Sequence, residues 1–177
     1  MNICVFCSAS DVAERYTKPA VEFGQLIARG GHTLVWGGSD TGLMKVVASA
    51  AQENGGRIVG ISVEMLRHKA RTNADEMIIT KDLSERKARM LERADALVVL
   101  TGGVGTLDEI TETMEMKKQR LHEKPIVFLS TDNFYEGLKI QLQRMDADGF
   151  LPRSLDELVY FAATPEEAMG YITGYGN

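Results

Sequence analysis

Short apolar runs alternate with longer amphipathic stretches along the chain. Runs at 3–7, 33–36, 57–61, 76–80, 96–100, 126–129 and 158–161 have strand length, and 96–100 is the continuous kind expected of a strand buried on both faces of a parallel sheet. Helices are predicted between them over 16–29, 43–54, 82–93, 106–120, 134–145 and 164–172. Gly30-Gly31 and Gly55-Gly56 stop the first two, while Asp82 with Glu85 and Thr164 with Glu167 have the spacing of a capped helix start. Residues 62–74 break the rhythm. They carry mixed charge, no sustained period and His68-Lys69-Ala70-Arg71 in their middle, so a mobile loop over a site is expected there. Residues 173–177 are expected to fray. Alternation from end to end, without a proline-rich linker or internal repeat, predicts one α/β domain over 1–177, a Rossmann-like doubly wound parallel sheet of about seven strands.

In such sheets ligands bind beyond the carboxyl ends of the strands, at the point where strand order reverses. The turns after the first, second and fifth strands fall on that edge. They are the stretch from Ser8 to Ser10, the stretch from Gly37 through Gly38 to Gly42, and Gly102-Gly103-Val104-Gly105-Thr106. In the last of these, glycines free the backbone and leave no side chain between main-chain N–H groups and a ligand. Thr106 stands where an N-cap belongs, with Glu109 completing a capping box, so the helix start would present unpaired donors to an anion, most naturally a phosphate. No Lys-Ser or Lys-Thr pair follows the last glycine, and the loop is not a strict G-x-G-x-x-G, which argues against a Walker A nucleoside triphosphate site.

Composition narrows the partners. With 44% hydrophobic and 25% charged residues the chain is ordinary globular protein, and a net charge of −5 gives no footprint for a nucleic-acid polymer. The first residues enter a strand without a basic start, and no stretch approaches a membrane span, so a cytoplasmic protein without membrane attachment is expected. Cys4 and Cys7 form a C-x-x-C, but residues three apart on a strand face opposite sides of the sheet. Core packing is therefore expected of them, with no metal site.

Two charged stretches flank the fifth strand. Arg86, Lys87 and Arg89 crowd the start of one helix, beside its positive dipole end, where an anionic partner or ligand would explain them. On the next helix Leu107, Ile110 and Met114 form the apolar stripe, leaving Glu109 and Glu112 on another face, where both could look into the cleft. A carboxylate held at a helix N-terminus is expected to have a lowered pKa.

Arg86-Lys87, followed by Gly102-Gly103-Val104-Gly105-Thr106-Leu107-Asp108-Glu109, resembles the signature of the LONELY GUY (LOG) family, also called lysine decarboxylase-like. That signature is an Arg-Lys pair and a Pro-Gly-Gly-x-Gly-Thr-x-x-Glu loop. The likeness runs from Val5-Phe6-Cys7-Ser8 to Thr164-Pro165-Glu166-Glu167, with Thr101 in place of Pro, Ser84 in place of a common His, Ser39 in place of a third glycine, and Met116 and Arg120 in place of Trp and Gly. The resemblance implies a homodimeric phosphoribohydrolase that cuts the N-glycosidic bond of an adenosine or cytokinin nucleoside 5′-monophosphate. In that role Arg86 and Glu109 are the catalytic pair, and Ser8, Gly38, Lys87, Gly102, Gly103, Gly105, Thr106 and Glu112 surround the substrate. No cofactor is implied, since no site for the pyridoxal phosphate of a true lysine decarboxylase is evident. The alternative is a carrier without turnover that binds a nucleotide or, like related folds, a molybdenum cofactor.

Overall fold

The computed structural model describes residues 1–176. Its elements in chain order are β1 (Asn2–Phe6), α1 (Glu14–Arg29), β2 (Thr33–Trp36), α2 (Gly42–Glu53), β3 (Arg57–Val63), β4 (Glu76–Thr80), α3 (Leu83–Arg93), β5 (Ala96–Val99), α4 (Val104–Lys118), β6 (Ile126–Leu129), α5 (Glu136–Ala147), α6 (Leu155–Leu158), β7 (Tyr160–Ala162) and α7 (Pro165–Gly174). The strands form one sheet of order β4-β3-β2-β1-β5-β6-β7, and every pairing is parallel. The chain builds outward from β1 to β4, then returns to lay β5 on the other side of β1. The reversal therefore lies between β1 and β5, where Val5 stands opposite Val98.

Side-chain alternation along the strands makes two cores. Ile3, Val5 and Cys7 bury against Phe23, Ile27 and Trp36 on one face, and Cys4 and Phe6 against Met90, Ile110 and Phe128 on the other. The two thiols thus lie in different layers, as their spacing requires, and burial pushes both well above the usual thiol range. Seven parallel strands with helices on both faces agree with the doubly wound sheet read from the sequence.

The differences from expectation have local causes. The strand predicted to stop at 61 continues to Val63 because β4 pairs along it through Val63 and Thr80. Residues 64–69, expected as a mobile loop, form a 3-10 helix whose following residues bond back to the second glycine turn. The last strand is displaced to Tyr160–Ala162 by the short helix α6, which takes up Leu158. The tail expected to fray at 173 stays helical to Gly174, and the Tyr175 hydroxyl lies 3.2 Å from the Lys117 ammonium; Asn177 lies outside the described residues. After α4, Arg120 adopts φ +60, the left-handed conformation that a glycine takes without strain.

Candidate functional site

Backbone hydrogen bonds gather the loops at the reversal point. Ser8 N–H donates to Thr101 C=O at 3.1 Å, Met44 N–H to Ser8 C=O at 3.1 Å, and the Thr41 hydroxyl to Ala9 C=O at 3.0 Å. The turns after β5, β1 and β2 are thereby fixed in a row along one sheet edge. A cleft of about 380 Å³ opens above them, within the size range of a small-molecule site. Ser8, Lys87, Gly103, Gly105, Thr106 and Glu109 line it, and so does Arg86.

The donor-rich end of the cleft is the start of α4. Its N-cap is Gly103, which has no side chain to cap with, and the first intrahelical bond runs from Leu107 N–H to Gly103 C=O at 3.1 Å. The N–H groups of Val104, Gly105 and Thr106 precede that bond and have no acceptor within the helix. Nothing lies within 4 Å of where a Cβ would stand on Gly103 or Gly105, so the approach is open.

This corrects the capping box expected at Thr106 and Glu109. Helix α4 starts at Val104, and Thr106 is a buried residue of its first turn. A Cβ on Gly102 would stand 2.1 Å from the Thr106 hydroxyl oxygen. Gly102 is therefore a packing glycine against Thr106, and it is not among the residues that line the cleft.

Glu109 lies deeper, with its side chain against Arg86. Arg86 Nη1 donates to Glu109 Oε1 at 2.5 Å, and Arg86 Nε donates to Ile61 C=O at 2.9 Å. Both side chains are less than one-tenth exposed, so the pair is sealed on the protein side and meets the cleft at its floor. Burial pushes the Glu109 carboxyl above its ordinary value, and the Arg86 guanidinium only partly offsets this. The lowered pKa expected from a helix-end position is thus corrected, because desolvation outweighs the neighbouring cation.

Gly37 explains how Arg86 reaches Glu109. A Cβ there would stand 2.1 Å from Arg86 Nη2, so the second glycine turn leaves space for the guanidinium. Gly38 adopts φ +75 and packs against Ser62 and Met77, behind the residues that line the cleft. Glu112 also stands away from the cleft. Its exposed carboxylate pairs with Lys87, which donates as well to Asp108 Oδ2 at 3.0 Å. Two of the crowded cations of α3 thus find protein carboxylates across the cleft, and Arg89 pairs with Glu92 on the outside.

Arg71 was not singled out by the sequence. It is buried and donates from Nη1 to Asp40 at 3.0 Å and to Ser49 at 3.0 Å, and from Nη2 to Gln52 at 2.8 Å. Together with Arg71 N–H to Gly38 C=O at 2.8 Å, these bonds clamp the 3-10 segment onto the turn after β2. Leu66 and Lys69 of that segment complete the cleft wall. Only the burial of an arginine among charged neighbours would have flagged this clamp, and no periodic signal marks it.

The family model described as "possible lysine decarboxylase" matches residues 44–172, most of the chain and all of the cleft except the turn after β1 and the Gly37 turn. The chain belongs to this family. Within the LOG family, the cytokinin riboside 5′-monophosphate phosphoribohydrolase of Mycobacterium tuberculosis is 40% identical over 161 residues, covering 89% of this chain and 86% of the relative. The protein of the same name from Mycobacterium marinum is 35% identical, over 95% of this chain and 91% of its own. Among solved structures, the molybdenum cofactor carrier protein of Chlamydomonas reinhardtii superposes with a TM-score of 0.73 at 27% identity, covering 97% of this chain and 95% of that one. Among the described residues no helix is long and apolar enough to cross a membrane, and no cluster of His, Cys, Asp and Glu is placed to hold a metal ion.

Proposed function

We propose that this LOG-family protein is a nucleoside 5′-monophosphate phosphoribohydrolase, releasing the free base and ribose 5-phosphate from a purine nucleotide of the adenosine or cytokinin type. The observation that carries this reading is the Arg86–Glu109 pair on the floor of a cleft whose rim is the uncapped start of α4. The names of the relatives at 40% and 35% identity point to the same reaction.

The 5′-phosphate sits on the N–H groups of Val104, Gly105 and Thr106, which fixes the ribose below it. Glu109 then faces the anomeric carbon. As the glycosidic bond lengthens, positive charge grows on the ribose, and a carboxylate in this desolvated place stabilises it and orients the attacking water. Arg86 aligns Glu109 and favours its ionised form; the attacking water gives its OH to the anomeric carbon and its proton to the departing base, so the bond to the base is replaced by one to oxygen. A carrier needs an anion seat but has no use for a sealed arginine–carboxylate pair at the ribose position, and this favours turnover over the carrier role suggested by the structural neighbours. The protein acts in the cytoplasm as a homodimer, a state checked by its mass in light scattering; a monomer at micromolar concentration removes that part.

The direct test is release of free base from a panel of nucleoside 5′-monophosphates, compared with the corresponding nucleosides. Glu109→Gln is expected to lower kcat by about 10²-fold or more. It also leaves the Arg86 charge without its buried counter-ion, so a stability loss of about 2–3 kcal/mol accompanies it and activity is measured well below the Tm. Because burial raises the Glu109 pKa and the ionised form is the active one, activity climbs with pH through a value above 4.5, and this acid limb disappears in the Gln variant. Near-normal base release by folded Glu109→Gln returns Glu109 to a structural role.

A further inference from the structure

Neighbouring residues of α3 pair with neighbouring residues of α4. Arg86 is bound to Glu109 and the next residue, Lys87, to Asp108, so two ion pairs lie side by side between the helices. The first is buried at the cleft floor; the second stands nearer to solvent, with the Lys87 side chain 14% exposed and that of Asp108 57%. Lys87 Nζ donates to Asp108 Oδ1 at 3.1 Å and Oδ2 at 3.0 Å, and it also meets Glu112 Oε2 one turn further along α4. An ammonium has three N–H donors and no acceptor. Three carboxylate oxygens therefore match all that Lys87 can donate, and nothing is left over for a phosphate.

The outer pair also bears on the inner one through charge. The groups that act on Glu109 are Arg86 and Lys87 of α3 and Asp108 of its own helix. Glu112 joins them by sharing Lys87, and from the sheet side Cys4 and Cys7 face Glu109 as thiols that burial keeps neutral. Lys87 and Asp108 work in opposite directions: the ammonium favours ionised Glu109, and the adjacent carboxylate opposes it. Without the lysine, the Asp108 charge would act uncompensated on a carboxyl that burial already disfavours in its ionised form.

Resting on the phosphoribohydrolase reading, we infer that Lys87 is a positioning residue for Glu109: its ammonium ties α3 to α4 and takes up the Asp108 charge beside the catalytic carboxylate, and it does not hold the phosphate of the nucleotide. Lys87 thus acts on the reaction through Glu109. Positive charge growing on the ribose is stabilised only by a carboxylate that is ionised when the glycosidic bond lengthens. The outer pair keeps it so.

The test is a cycle of charge changes read by pH, with adenosine 5′-monophosphate as substrate. In Lys87→Met, which keeps the apolar stem, the acid limb of kcat/KM is expected to move to higher pH by about 0.5 unit, a change of about threefold in the ionised fraction on that limb. In Asp108→Asn it moves to lower pH. In Lys87→Met/Asp108→Asn the two shifts cancel, and in Lys87→Arg, which keeps the charge, the limb stays near that of the parent. A limb that does not move in Lys87→Met, or a shift that persists in the double variant, overturns the assignment. So does a loss of affinity in Lys87→Met confined to the nucleotide and absent for adenosine, which would put Lys87 on the phosphate. If Lys87→Met does not fold, Asp108→Asn decides alone: a limb displaced to lower pH supports the role, and an unmoved one overturns it. If the parent protein releases no base, the hydrolase reading fails by itself. The Glu109 carboxyl is then titrated directly by ¹³C NMR, assigned through Glu109→Gln: opposed shifts that cancel in the double variant support the role of Lys87, and their absence overturns it.

Discussion

The turns after β2 and β5 look alike in sequence, each a strand running into Gly-Gly and then a helix with a threonine beside its start, yet they do opposite work. In the first, Gly37 yields its side-chain space to the Arg86 guanidinium, and the neighbouring carbonyls of Gly38 and Ser39 are taken up by Arg71 and Trp36. In the second, Gly103 and Gly105 face empty space, and the backbone donors that follow are unclaimed within their helix. At Gly37 the protein fills the gap; at Gly103 and Gly105 it leaves the gap open, although Gly102 just before them packs against Thr106. A glycine that a folded chain needs for its own packing and one it keeps for a ligand cannot be distinguished by composition, but they respond differently to the same methyl group.

The largest expected effect is at Gly37. In Gly37→Ala the new methyl stands where Arg86 Nη2 is, and Arg86 cannot swing aside without giving up Ile61 C=O or Glu109, both within a sealed environment. The expected outcome is a loss of about 2–4 kcal/mol in unfolding free energy, since a buried pair is disrupted, together with a fall in base release of about 10²-fold or more. Chemical denaturation and steady-state kinetics on the folded fraction measure the two. A variant as stable and as active as the parent would mean that the guanidinium has another resting place and that the Gly37 turn does not position it.

The same contrast explains what could be read before the structure. The strands, the parallel order implied by alternation, and the three turns on one edge follow from apolar period and glycine placement, both local signals. Glu109 was legible as a residue of interest, but its spacing from Thr106 fits a capping box as well as it fits a buried carboxylate on the cleft floor. What excludes the cap is Thr106 packing under Gly102, a contact at the root of α4 that spacing alone does not reveal. The partnership of Arg86 with Glu109 joins residues 23 positions apart, and only the family signature suggested it. The strap carrying Lys69 and Arg71 was least legible of all. A 3-10 segment has no buried face to set a period, and its clamp reaches Asp40, Ser49 and Gln52 across 19 to 31 positions.

The smallest expected effect completes the comparison because its two parts have opposite sign. Gly105 is an exposed residue in the first turn of α4 with open space where a methyl would go, so Gly105→Ala costs the free protein no packing. Alanine is preferred to glycine in a helix by up to about 1 kcal/mol, and by less in a first turn, so the variant is expected to be about 0.5 kcal/mol more stable than the parent. A methyl group at this point nevertheless thickens the surface on which a phosphate would rest against the N–H groups of Val104, Gly105 and Thr106. Affinity for a nucleoside 5′-monophosphate is therefore expected to fall by about 5-fold, a loss of roughly 1 kcal/mol, while affinity for the unphosphorylated nucleoside stays as it was. Thermal unfolding gives the first quantity and calorimetric titration with the two ligands gives the second. If Gly105→Ala binds the nucleotide as tightly as the parent does, the phosphate is not held at the start of α4. If it weakens nucleotide and nucleoside equally, the methyl disturbs the ribose or the base instead. A gain in stability joined to a loss confined to the phosphorylated ligand is the signature of a glycine kept for the ligand, and it is the reverse of what the same substitution does at Gly37.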